Sequence, residues 1–158
     1  VTRVSHYDAA TRAILLALVA LALQACGEAQ PVSAEFVDPV TGVSVRYTLR
    51  SGHMFLAEFD RDFRVSFAHS QMDFPLDYDS GGFVLMSVYR MGDGTLVFFD
   101  REDYAVVDSA HETVEQVERV DRACGAQFLG CFDWFGEDHR LQFVPPSKRG
   151  DRYGLGKH

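Results

Sequence analysis

Between Val43 and Leu49 every second residue is apolar: Val43, Val45, Tyr47 and Leu49 alternate with Ser44, Arg46 and Thr48. A period of two places the apolar side chains on one face of an extended strand, whereas a helix would scatter them around its circumference. This stretch therefore predicts a strand with one buried and one solvated face, which is stable only beside other strands. The pattern returns along the chain. Phe63, Val65 and Phe67 alternate, and Phe83 to Met91 is a longer apolar strand closed by the hairpin signal Gly92-Asp93-Gly94. Thr95 to Phe99, Tyr104 to Val107, Phe128 to Phe135 and Arg140 to Val144 supply further strands, and Pro145-Pro146 stops the last. Four polar stretches read as turns: Arg50 to His53, Asp60 to Asp62, Asp100 to Asp103 and Gly136 to His139. Met54 to Phe59 is a strand between the first two.

One segment departs from this period. Ser109-Ala110-His111-Glu112 has the form of a capping box, in which Ser caps a free N–H and Glu reaches back. Val114, Val117 and Val120 follow at a spacing of three, and Glu115/Arg119 and Glu118/Arg122 are i, i+4 pairs. With Gly125 as the stop, these features predict one helix over about Ala110 to Cys124, lying on the sheet by its Val stripe. The expected fold class is α+β: an antiparallel, strongly twisted or barrel-like sheet of about seven strands with that one helix. The 13 Phe predict a bulky aromatic core.

Ahead of the strands, Ala13 to Leu23 is an unbroken apolar run of 11 residues. A bilayer span needs roughly 20, so this run has instead the form of a secretory signal, with Arg3 and Arg12 as its positive region. It ends in Leu23-Gln24-Ala25-Cys26-Gly27. This resembles the lipobox of bacterial lipoproteins, with Leu at −3, a small residue at −1 and then Cys; Gln24 departs from the small residue usual at −2. The resemblance implies that residues 1–25 are a signal peptide and that Cys26 is the lipidation site. Gly27 in place of Asp implies sorting to the outer membrane, facing the periplasm. The resemblance covers the first 27 residues only. The remaining organisation reads as a lipidated tether at 26–34, a single β-rich domain at 35–146 and a basic, Gly-rich tail at 147–158, predicted to be disordered.

Lipidation of Cys26 leaves Cys124 and Cys131, which the oxidising envelope would join as a disulfide. The formal net charge of −8 argues against nucleic acid and suits a basic protein partner. The catalytic serine signatures Gly-x-Ser-x-Gly and Ser-x-x-Lys do not occur. His111-Glu112-x-x-Glu115 has Glu where the zinc-protease helix needs its second His. Asp77-Tyr78-Asp79-Ser80-Gly81-Gly82 begins like a calcium loop, but Val88 stands where the bidentate Glu is required. No catalytic residue, metal or cofactor is therefore expected.

The remaining candidate is Ala68 to Gly82, read as a long loop that interleaves carboxylates with aromatics. Asp73, Phe74, Asp77, Tyr78 and Asp79 are its partner-binding candidates. The competing reading folds Phe74 and Leu76 under as a satellite of the core. The expected function is a lipid-anchored, non-enzymatic protein-binding module of the envelope. Its partner would be a basic cell-wall hydrolase or toxin in the periplasm, neutralised by an inhibitor or immunity protein. The alternative is a structural or assembly lipoprotein of an envelope complex.

Overall fold

Strands alone build the described part of the fold. The computed structural model describes residues 30–51, 58–76, 84–101, 104–118, 120, 125–138 and 140–152. Its strands are β1 (Val32–Val37), β2 (Ser44–Ser51), β3 (Phe59–Ser66), β4 (Gln71–Pro75), β5 (Met86–Met91), β6 (Leu96–Phe99), β7 (Tyr104–Asp108), β8 (Thr113–Val117), β9 (Ala126–Phe135) and β10 (Arg140–Val144). A four-stranded sheet runs in the order β1-β2-β3-β4, and a six-stranded sheet in the order β10-β9-β5-β6-β7-β8. Every pairing is antiparallel.

Register turns the alternation into two faces. Across the four-stranded sheet the rows Phe36–Val45–Val65–Met72 and Ala34–Tyr47–Phe63–Phe74 point inward. The intervening row, Glu35–Arg46–Arg64–Asp73, is exposed. The second sheet contributes Met86, Val88, Leu96, Phe98, Val107 and Phe132 to the same core. Ring contacts cross between the sheets, Tyr47 to Phe132 at 5.4 Å and Phe63 to Phe98 at 4.9 Å between centroids. Each of these buried aromatics contributes roughly 1.5–3 kcal/mol through area removed from water. The arrangement is two sheets packed face to face.

The six-stranded sheet is also apolar on its outer side. Tyr89, Met91, Val97, Phe99 and Tyr104 form a second buried cluster there. Residues on both faces of β5 and β6 are thus buried, which explains the unbroken apolar sequence of β6 and the absence of strict alternation in β5. Part of the C-terminal segment read as a disordered tail lies against this sheet. Arg149 pairs with Asp133 of β9, and the Tyr89 hydroxyl donates to Asp151 at 2.7 Å.

Two parts of the expected fold class are overturned. The sheets are separate and do not close into a barrel, and the described residues contain no helix. The segment predicted as a helix begins instead as the β7–β8 turn and then β8. Its Val stripe divides: Val114 enters the core between the sheets, while Val117 and Val120 join the outer cluster. On a strand, residues three apart face opposite sides, so a spacing of three serves a sheet that is apolar on both. The capping chemistry is present but belongs to the turn. The Asp108 carboxylate accepts from the backbone N–H of Ala110 at 2.8 Å and of His111 at 3.2 Å. The Glu112 carboxylate accepts from the His69 N–H at 3.1 Å and the Ser70 hydroxyl at 2.5 Å, fastening the β7–β8 turn to the β3–β4 turn.

Asp60-Arg61-Asp62, expected as a turn, lies inside β3. Arg61 takes an inward position of that strand and pairs with Asp100, which follows β6 of the opposite sheet; each is 6% exposed. The strand count also exceeds the expected seven: β1 begins in the segment read as tether, β4 lies in the one read as loop, and β8 in the one read as helix. The expected strand Met54 to Phe59 lies mostly outside the described residues.

The β7–β8 turn yields a titration test. His111 Nδ1 lies 2.7 Å from Asp108, whose carboxylate raises the imidazole pKa above the ordinary histidine value. The same bond holds the Asp108 carboxyl below its usual range. The His111 contribution is present below the unfolded histidine pKa and is lost as pH rises through the folded one. The Asp108 contribution is present above the unfolded carboxyl pKa and is lost on acidification. NMR titration of Asp108→Asn should therefore return His111 to the ordinary histidine range. An unchanged midpoint would assign the shift to other groups.

Candidate functional site

Three strand ends meet beside β4. The close of β2, the start of β3 and the end of β4 leave a groove of about 270 Å³, lined by Arg50, Asp60, Arg61, Asp62, Pro75 and Leu76. The Leu76 N–H donates to the Arg61 carbonyl at 3.0 Å, which extends the β3–β4 ladder to the groove floor. Arg50 and Asp62 pair across one wall at 2.9 Å, and Asp60 is exposed. The buried Arg61–Asp100 pair lies beneath. The chain leaves the groove at Leu76 and continues directly into Asp77-Tyr78-Asp79.

Of the partner-binding candidates, Asp73 and Phe74 lie among the described residues, and these two do not share a surface. Asp73 and Phe74 are neighbours on a strand and therefore face opposite sides. Phe74 packs with Met72 and Leu76 against the main core, as in the satellite reading. Asp73 points outward and accepts from Arg64 Nε at 2.7 Å and Nη2 at 3.1 Å. Arg64's hydrogen bonds hold the Asp73 carboxyl below the usual carboxylate range. The loop expected over Ala68 to Gly82 is shortened by β4. Asp77, Tyr78 and Asp79 lie outside the described residues, as do Cys26 and Cys124. Cys131 carries a free thiol, buried beside Leu85 and Val144 on the outer side of the six-stranded sheet. Burial pushes that thiol pKa up, against a smaller opposing pull from Arg149.

Sequence reasoning missed Arg50, Asp60 and Asp62 as site residues. The signal was present in Phe59, Arg61, Phe63 and Val65, which keep a period of two through the charged run. It also missed the second ion pair between the sheets. Asp38, after β1, is fully buried and pairs with Arg90 of β5. Burial pushes the Asp38 pKa up, but hydrogen bonds from Thr41 and Arg90 outweigh it and leave the carboxyl below its usual range. Asp38 therefore fastens the β1–β2 turn to the opposite sheet.

Two of the residues weighed as metal ligands, His111 and Glu112, have other roles. His111 pairs with Asp108, and Glu112 binds the β3–β4 turn. Among the described residues no group of three His, Cys, Asp or Glu side chains is placed to hold a metal ion. The chain matches no protein-family profile, no curated protein and no solved structure.

Proposed function

We propose that this chain is a lipid-anchored envelope protein whose paired sheets act as a non-enzymatic protein-binding module. In this reading it is an inhibitor or immunity protein against a cell-wall-degrading enzyme of the periplasm. The reading rests on three supports: the lipobox resemblance at Leu23 to Gly27, the net charge of −8, and the acidic-aromatic segment that follows β4 in the sequence. The third carries it. Asp77-Tyr78-Asp79 follows Leu76 directly in sequence, and Leu76 lines a groove that holds the exposed Asp60 beside the Arg50–Asp62 pair. Clustered carboxylates beside an aromatic suit the cationic cleft of a basic hydrolase, and the charge speeds encounter.

The test is a binding titration of the full chain in detergent against basic peptidoglycan hydrolases, at low and moderate salt. Asp77→Lys with Asp79→Lys should weaken binding roughly a hundred-fold or more, with the circular dichroism spectrum unchanged. Unchanged affinity would remove this segment from the interface. Selective recovery of resident envelope proteins in place of a hydrolase would favour an assembly component instead.

A further inference from the structure

We propose that the outer edge of β4 receives an extended basic segment of a partner protein as a fifth strand of the four-stranded sheet. The inference deepens the binding reading above, on which it rests, by naming how the partner is held.

The hydrogen-bond phase of β4 identifies the groups on offer. The Phe67 N–H donates to the Ser70 carbonyl, and the Leu76 N–H donates to the Arg61 carbonyl. Antiparallel ladders alternate, so Ser70, Met72, Phe74 and Leu76 direct their backbone groups toward β3. Gln71, Asp73 and Pro75 direct theirs away from it. Among the described residues β4 is the terminal strand of its sheet. The edge therefore offers the N–H groups of Gln71 and Asp73 and the carbonyls of Gln71, Asp73 and Pro75. Pro75 brings no donor and ends the ladder.

The side chains select the occupant. On the outer face the row Glu35–Arg46–Arg64–Asp73 runs negative, positive, positive, negative. It stops at Asp73, which is 62% exposed in its side chain. A Lys or Arg directly opposite Asp73 on an added strand continues the row with a favourable cross-strand pair. On the inner face Met72 and Phe74 are half-buried at the margin of the core. Apolar residues flanking that cation would extend the core over them. The occupant is thus an apolar–basic–apolar strand. A second copy of this chain fits poorly, because full antiparallel pairing of β4 with itself sets Asp73 opposite Asp73.

The probes are three nine-residue peptides: alternating valine and lysine, alternating valine and glutamate, and the lysine peptide N-methylated on alternate amides. The readout is amide exchange of the ¹⁵N-labelled full chain at low salt. The lysine peptide should slow exchange at Gln71 and Asp73 roughly ten-fold, leaving Met72 and Phe74, already bonded to β3, unchanged. The glutamate and N-methylated peptides should have no such effect. Asp73→Lys should transfer protection to the glutamate peptide, and Asp73→Asn, which keeps the side-chain shape, should abolish the preference. Equal protection by both charged peptides, protection elsewhere, or none overturns the proposal. If a basic hydrolase binds while Gln71 and Asp73 stay unprotected, the binding reading stands and strand addition falls. If the lysine peptide protects them and no hydrolase binds, strand addition stands and the inhibitor reading falls.

Discussion

Arg61→Leu should destabilise the fold by about 3–5 kcal/mol, because it removes the cation paired with a buried carboxylate. Arg61 lies between Phe59 and Phe63 on the inward side of β3, and its partner Asp100 belongs to the opposite sheet. Each residue is only 6% exposed, so water cannot replace the lost guanidinium. Pairing Arg61→Leu with Asp100→Leu removes both charges and should recover most of the loss, since a buried ion pair is often no more stabilising than apolar residues of similar volume. The exposed pair Arg64–Asp73 is the control, and Arg64→Leu should cost far less, because solvent screens that pair. Urea unfolding of these three variants beside the unsubstituted protein supplies the comparison. A loss below about 1 kcal/mol for Arg61→Leu would mean that Asp100 is satisfied without it.

This pair also marks the limit of what the sequence discloses. Arg61 breaks an otherwise apolar phase, and Asp100 is 39 positions away. A run of Asp-Arg-Asp looks like a solvated turn unless the neutralising partner is known, and that partner is set by sheet packing. The strands with one solvated face were legible because their alternation is local. Val43 to Leu49 and Phe63 to Val65 are such cases, as is the hairpin at Gly92 to Gly94. The residues Ser109 to Val120 were misread for the opposite reason. A strand that sends one Val to each face, as β8 does with Val114 and Val117, loses the period of two, and three Val at a spacing of three then match a helix as well. Glu112 reinforced that reading, yet its φ of 52° and its bonds to His69 and Ser70 belong to a turn held by a neighbouring hairpin. The candidate site was legible in part. Asp73 and Phe74 lie where β4 passes toward the groove, but a linear segment cannot reveal that adjacent residues of a strand serve different faces.

Gly130→Ala should cost roughly 3 kcal/mol, combining overpacking with backbone strain. Gly130 lies within β9 between β5 and β10, next to a bulge: Val88 pairs with Gly130 and Tyr89 with Phe128, leaving Leu129 extra. Its φ of 138° is one that L side chains rarely adopt. A Cβ there would lie 2.5 Å from the Val144 carbonyl oxygen and 2.6 Å from Phe143 Cζ. The ring could move, but the carbonyl belongs to the β10 backbone and cannot yield without disturbing the ladder. Phe143 packs on Phe36 at 4.6 Å and on Phe132 at 5.5 Å, so its displacement would loosen the contact between β1 and β10 at the margin of the two sheets. Adding Phe143→Ala should therefore relieve only part of the strain while opening a cavity of its own. Measured by urea unfolding, the double variant should be no more stable than Gly130→Ala. A near-neutral Gly130→Ala would show that β10 yields freely, and the β1–β10 margin would then contribute little to holding the sheets together.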